Sequence, residues 1–168
     1  MDKTPWSVPV AVEDIPDTGQ HVEIEAPAAV RAAIAKLADL RELPKLAAVF
    51  DLVRRGAGAH VSGSVRALVG QTCVVSLEPM ETKLDEAIEV TFLPATEAAA
   101  SDDQEPPEPL VDGRLDLGAL ATEFLLLAID PYPRKAGVQF APIKAEEGGE
   151  RPFAALAALK KSLGSGES

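Results

Sequence analysis

With one cysteine and two histidines in 168 residues, the chain has little material for a metal centre. Cys73 alone excludes an intrachain disulfide and a zinc site built on paired cysteines, which points to a reducing compartment. His21 and His60 fall on alternating strand-like stretches, and neither belongs to a ligand spacing such as two histidines four apart on a helix. Aromatic residues make up only 4% of the chain, so the core is expected to be aliphatic and small-grained. Cations are scarce too: 16 Lys and Arg stand against 27 Asp and Glu, giving a net charge of -11. A chain of that sign does not grip nucleic acid over a broad surface, because such affinity comes from cations displacing counterions at phosphates. It leaves room only for a local basic patch. No long hydrophobic run is present either. The longest, Leu117 to Ile129, is interrupted by Thr122 and Glu123 and falls short of the ~20 residues that span a bilayer. The opening Met1-Asp2-Lys3-Thr4-Pro5-Trp6 lacks the pattern of a secretory signal. These absences predict a cytoplasmic protein without membrane partner, cofactor or small-molecule substrate.

What is present is a 46% hydrophobic share, enough for a packed core in one domain spanning 1–168. Val8 to Val12 and His21 to Ala26 have the character of short strands, the second with Val22, Ile24 and Ala26 in alternation. Pro27 suits a first helical position, and Val30, Ile34 and Leu37 continue at i, i+4, i+7. From Leu46 to Leu93 the period drops to two, predicting a four-stranded antiparallel meander. Its strands are centred on Val49–Val53, Val61–Val69, Thr72–Leu77 and Leu84–Leu93, with turns at Gly56-Ala57-Gly58, Gly70-Gln71 and Pro79-Met80. Glu86 on the apolar phase of the last strand implies a strand end near solvent.

Residues 94–109 hold five acidic residues, four prolines and no cation, the composition of a disordered acidic loop. Asp112-Gly113 then forms a turn and Asp116 an N-cap, after which Leu117, Leu120, Phe124 and Leu127 make a helical stripe broad enough to need packing on two sides. Pro131 and Pro133 end that helix. A last helix, 152–163, begins with Pro152-Phe153. The whole predicts an α+β fold: an antiparallel sheet of six or seven strands, open or curled toward a barrel, with about three helices covering one face.

No catalytic constellation emerges. The carboxylates lie in linkers and on alternating strand faces, which is a pattern of solvation, and Gly56-Ala57-Gly58 sits between strands and opens no helix, as a hairpin turn does and a phosphate loop does not. Charge patterning offers interaction surfaces instead. Asp102, Asp103 and Glu105 in the acidic loop could imitate RNA toward a basic partner, or simply solubilise the chain. Tyr132, Arg134 and Lys135 set an aromatic beside two cations, and the same cations equally suit the C-terminus of the preceding helix. Arg54 and Arg55 flank the first hairpin turn, as a second basic cluster or a solvated turn.

Three segments, taken in order, resemble the bacterial YceD-like family of large ribosomal RNA subunit accumulation proteins. They are Gly70-Gln71-Thr72-Cys73-Val74-Val75-Ser76-Leu77-Glu78-Pro79, the Asp116-Leu117 helix with internal Glu123 before a Pro-rich turn, and the Pro152-Phe153 helix. The family carries Cys-x-x-Cys followed three residues later by Pro, which places Cys73 and Ser76 on the two cysteine positions and Pro79 on the proline. This chain departs from that pattern. Cys-Val-Val-Ser supplies one soft ligand and a weak hydroxyl, so Cys73 is expected to be buried and structural. The resemblance implies a non-enzymatic role in ribosome biogenesis, supporting accumulation of large-subunit ribosomal RNA. With a charge of -11, the expected partner is a basic large-subunit ribosomal protein or a pre-ribosomal particle. The alternative is direct binding of ribosomal RNA through a small basic patch.

Overall fold

The computed structural model describes residues 4–98 and 107–139. Among them seven strands and three helices follow in the order β1 (Pro9–Ala11), β2 (Gln20–Glu25), α1 (Ala28–Leu37), β3 (Glu42–Arg55), β4 (Gly58–Thr72), β5 (Pro79–Pro94), α2 (Ala95–Ala98), β6 (Glu108–Leu110), β7 (Arg114–Asp116) and α3 (Leu117–Ala128). One sheet has the order β2-β3-β4-β5-β6; β1 and β7 pair separately.

The long strands β3, β4 and β5 follow from period-two patterning with turn chemistry at either end. Gly56, at φ +60, takes the left-handed position in the two-residue β3–β4 connection. In the register, Leu46, Ala48, Phe50 and Leu52 of β3 lie opposite Ala67, Val65, Gly63 and Val61 of β4. These residues other than Gly63 are buried, together with Ile88 of β5, and form one apolar sheet face. At Gly63 the β3 backbone takes the space a side chain would need: an added Cβ would strike the Val49 carbonyl and lie 3.0 Å from the Phe50 Cα. Ile34 and Ala35 of α1 and Leu117, Leu120, Ala121 and Leu125 of α3 share the same core. At about 25 cal/mol per Å² of apolar surface removed from water, this shared core is the main stabilising term.

The N-terminal segment closes over the start of α3. Asp116 caps the helix, its Oδ1 accepting from the N–H groups of Gly118 and Ala119 at 3.1 Å each. The same carboxylate accepts from the Val8 N–H at 2.8 Å and the Ser7 hydroxyl at 2.6 Å. Buried Trp6 lies over Gly118, where an added Cβ would come within 3.0 Å of the Trp6 backbone and ring.

The structure departs from the sequence-based expectation in several places. The architecture is α+β, but the sheet is neither a closed barrel nor wholly antiparallel, since β6 runs parallel to β5. The meander has three strands. β4 continues through Gly70-Gln71 to Thr72, and of the strand expected over Thr72–Leu77 only Thr72 lies in one; residues 73–78 are the connection to β5, which starts at Pro79. The β-branched Val74 and Val75 were misleading because this stretch is held as a turn, its Val74 N–H donating to the Pro133 carbonyl. Glu86 is exposed in the middle of β5, because β6 covers that strand only from Phe92 to Pro94 and leaves the rest as an edge. In α3, Leu127 is 77% exposed, and Ala121 and Leu125 take the core side. Within 94–109, expected as a loop, Ala95–Ala98 make one helical turn and Glu108 and Pro109 join β6. Asp102, Asp103, Glu105 and the Pro152-Phe153 helix lie outside the described residues.

Candidate functional site

Side chains alternate across a strand, so the phase of β2–β5 opposite the core forms a second sheet face. Register sets its rows. One runs His21, Asp51, Ser62, Glu89; the next Glu23, Val49, Ser64, Ala87; the next Glu25, Ala47, Arg66, Asp85. The central strands thus carry the short Ala47, Val49, Ser62 and Ser64 together with Asp51 and Arg66, and further carboxylates stand on both flanks. His21 Nδ1 lies 2.7 Å from Asp51 Oδ1 and Nε2 lies 3.4 Å from Glu23 Oε1. Hydrogen bonding to Asp51, then to Glu23, raises the His21 pKa above its ordinary 6.5. His60 Nδ1 is 3.1 Å from Thr91 Oγ1 and its Nε2 3.8 Å from Glu89. Arg66 pairs with Asp85 at 3.2 Å.

A second constellation sits at the β4–β5 connection. Cys73, without accessible surface, donates its N–H to the Glu78 carbonyl, and its own carbonyl accepts from Leu77, each at 2.9 Å. The connection docks on the chain that follows α3. Val74 N–H donates to the Pro133 carbonyl at 2.9 Å, Gln71 Nε2 to the Asp130 carbonyl at 2.9 Å, and Lys135 Nζ to Glu78 Oε2 at 2.8 Å. The sulfur accepts from the N–H groups of Ser76 and Lys135, both at 3.4 Å. The thiol is lowered to about 6, by the Ser76 hydroxyl first and then by the N–H groups of Ser76 and Lys135, which outweigh burial. Ser76 Oγ is buried with no hydrogen bond of good geometry, so the two N–H groups are the better-defined partners. Leu77 completes the turn at φ +59 and is 76% exposed, with Tyr132, 70% exposed, on the adjoining segment.

The basic residues singled out in the sequence are not brought together. Arg54 and Arg55 flank the β3–β4 turn, whereas Arg134 and Lys135 lie beside the β4–β5 turn at the far end of the 15-residue β4. That length separates the pairs by roughly 45–50 Å. Lys135 is engaged by Glu78, whose carboxyl is held below its usual range by the ammonium. Asp116 serves as helix cap, Glu123 is exposed on α3, and Pro79 opens β5. Among the described residues, no group of three or more His, Cys, Asp or Glu side chains is placed to hold a metal ion, and no helix is long and apolar enough to cross a membrane. The acidic sheet face itself escapes sequence reading. Its signal is the polar phase of β2 and β5, but only the strand register shows that Glu23, Asp51 and Glu89 share one surface.

The geometry defines an α+β protein whose distinctive features are surfaces and a docked turn. A family model described as "Large ribosomal RNA subunit accumulation protein YceD" matches residues 61–160, more than half of the chain, and the chain belongs to that family. No curated protein and no solved structure matches it.

Proposed function

We propose that the protein is a non-enzymatic ribosome-biogenesis factor that supports accumulation of large-subunit ribosomal RNA by engaging a basic ribosomal protein, free or within a pre-ribosomal particle. The family description ties the chain to large-subunit ribosomal RNA. The observation that favours a protein partner is the placement of charge. Carboxylates gather on the open sheet face, while the four basic residues that would form an RNA patch are split between opposite ends of β4, one of them paired with Glu78. An acidic surface of this kind attracts a cationic protein and repels phosphate.

Affinity capture from lysate, with and without nuclease, tests the reading. A basic large-subunit ribosomal protein recovered after nuclease supports it. Recovery abolished by nuclease overturns it in favour of direct RNA binding, for which alanine at Arg54, Arg55, Arg134 and Lys135 would weaken binding and flatten its salt dependence.

A further inference from the structure

We infer that the open sheet face is a docking surface for a basic α-helix of a partner protein, laid along the strands between the Glu23/Glu25 flank on β2 and the Asp85/Glu89 flank on β5. The inference rests on the reading above, that the partner is a basic protein, and specifies where and in what form it binds.

Width is the first argument. β2 and β5 are separated by two intervening strands, so their outward residues stand three strand spacings apart, roughly 14 Å. An α-helix with its side chains is about 10–12 Å across, and its Lys or Arg side chains reach to either flank. The floor is the second. On the two central strands Ala47, Val49, Ser62 and Ser64 are short, which lets a helix approach the sheet there, while Asp51 stands among them and Arg66 is drawn toward Asp85 on the β5 flank. The backbone groups of β3 and β4 are already spent on their ladders, so an extended peptide has no hydrogen bonds to gain on this face, whereas a helix satisfies its own backbone and packs on a sheet through side chains alone. α1 and α3 do this on the opposite side.

Charge is the third. Glu23, Glu25, Asp51, Asp85 and Glu89 share the face, and Arg66, held by Asp85 at 3.2 Å, is the one permanent cation in these rows. Lys45 and Lys83 stand beyond Arg66 at one end, opposite Leu68 of β4. Carboxylates of like sign on one face repel, and a cation from outside relieves that repulsion. His21 already bridges two of these carboxylates, its ring nitrogens lying 2.7 Å from Asp51 and 3.4 Å from Glu23. RNA has the wrong sign for such a surface. A second copy meeting it face to face in a symmetric dimer would set carboxylates against carboxylates.

The test uses the full chain and a fluorescent, alanine-based helical peptide with lysines at i, i+4 and i+7. Wild-type protein is expected to bind it with salt-sensitive affinity. The triple variant Glu23→Gln, Asp51→Asn, Glu89→Gln should bind about tenfold more weakly. The control Glu13→Gln, Asp14→Asn, in the turn after β1, should bind as wild type does. Saturating peptide should also lower the His21 pKa followed by NMR, because the lysines compete for Asp51 and Glu23. Unchanged binding by the triple variant, or an equal loss in the control, overturns the inference. So does a His21 titration indifferent to peptide. Nuclease-resistant capture that is equally strong from the triple variant would refute this face while leaving the proposed function standing, whereas capture lost from wild type on nuclease treatment would refute that function itself.

Discussion

The sulfur of Cys73 accepts a hydrogen bond from the backbone N–H of Lys135 at 3.4 Å, across 62 positions of sequence. This contact ties the β4–β5 turn to the segment following α3, alongside Val74–Pro133 and Lys135–Glu78. Because the sulfur has no accessible surface, alkylation of the native protein should be slow and should accelerate on unfolding. The folded thiol titrates at about 6 against 9.0 for the free group, so thiolate absorbance should rise near pH 6. A depressed acid contributes stability that is present above the unfolded pKa and is lost as pH falls through the folded one. Wild type should therefore lose stability relative to Cys73→Ser between pH 9 and 6 in denaturant melts. A flat difference across that window would place the folded thiol at its ordinary value.

Asp116 joins two parts of the chain through a single carboxylate. Burial works against its charge, but hydrogen bonds from Ser7, Val8, Ala119 and Gly118 outweigh that and hold its pKa below the ordinary value of 3.8. Asp116→Ala removes the cap of α3 and the tether of the N-terminal segment, and should cost about 1–2 kcal/mol in urea unfolding. Asp116→Asn keeps a capping oxygen and should cost less. The stabilisation by the carboxylate is present above pH 3.8 and should fade as pH falls through the folded value.

His21 carries the opposite sign. Its pKa is raised by Asp51 and then Glu23, so the stabilisation is complete below the ordinary 6.5 and disappears as pH rises through the folded value. NMR titration should place the imidazole above 6.5, and Asp51→Asn should bring it back toward that value. An unmoved titration in Asp51→Asn would remove Asp51 as the main cause.

Gly63 tests the sheet. Gly63→Ala places a methyl on the Val49 carbonyl and against Phe50, both backbone contacts that have little freedom to yield. The expected loss is about 1–3 kcal/mol by thermal melting. Gly113→Ala, in open space at φ +67, should lose stability for a different reason, backbone strain, and by roughly 1 kcal/mol.

The sequence made the helices and long strands legible where local pattern and core demand agree. The Val30, Ile34, Leu37 spacing anticipated α1, the Asp116 cap anticipated α3, and the alternation around Val61 to Val69 anticipated β4. It failed at Thr72–Leu77, where beyond Thr72 the β-branched Val74 and Val75 belong to a turn that is tied to Pro133 and Lys135, far along the chain. It failed again at Leu127, since the width of an apolar stripe does not say which arc of a helix a sheet will cover.

By itself the sequence determined the chemical limits of this protein: a lone cysteine, a strong negative charge, an aliphatic core and the family that its ordered segments resemble. These are properties of composition and local spacing, which no fold alters. Tertiary structure alone decided where the charge acts. A one-residue change of register would turn Glu23, Asp51 or Glu89 to the opposite side of the sheet. Only the pairing of β2, β3, β4 and β5 places them on one face and sends Arg54 and Arg134 to opposite ends. Electrostatic attraction depends on distance in space, and strand pairing fixes that distance for residues far apart in the chain.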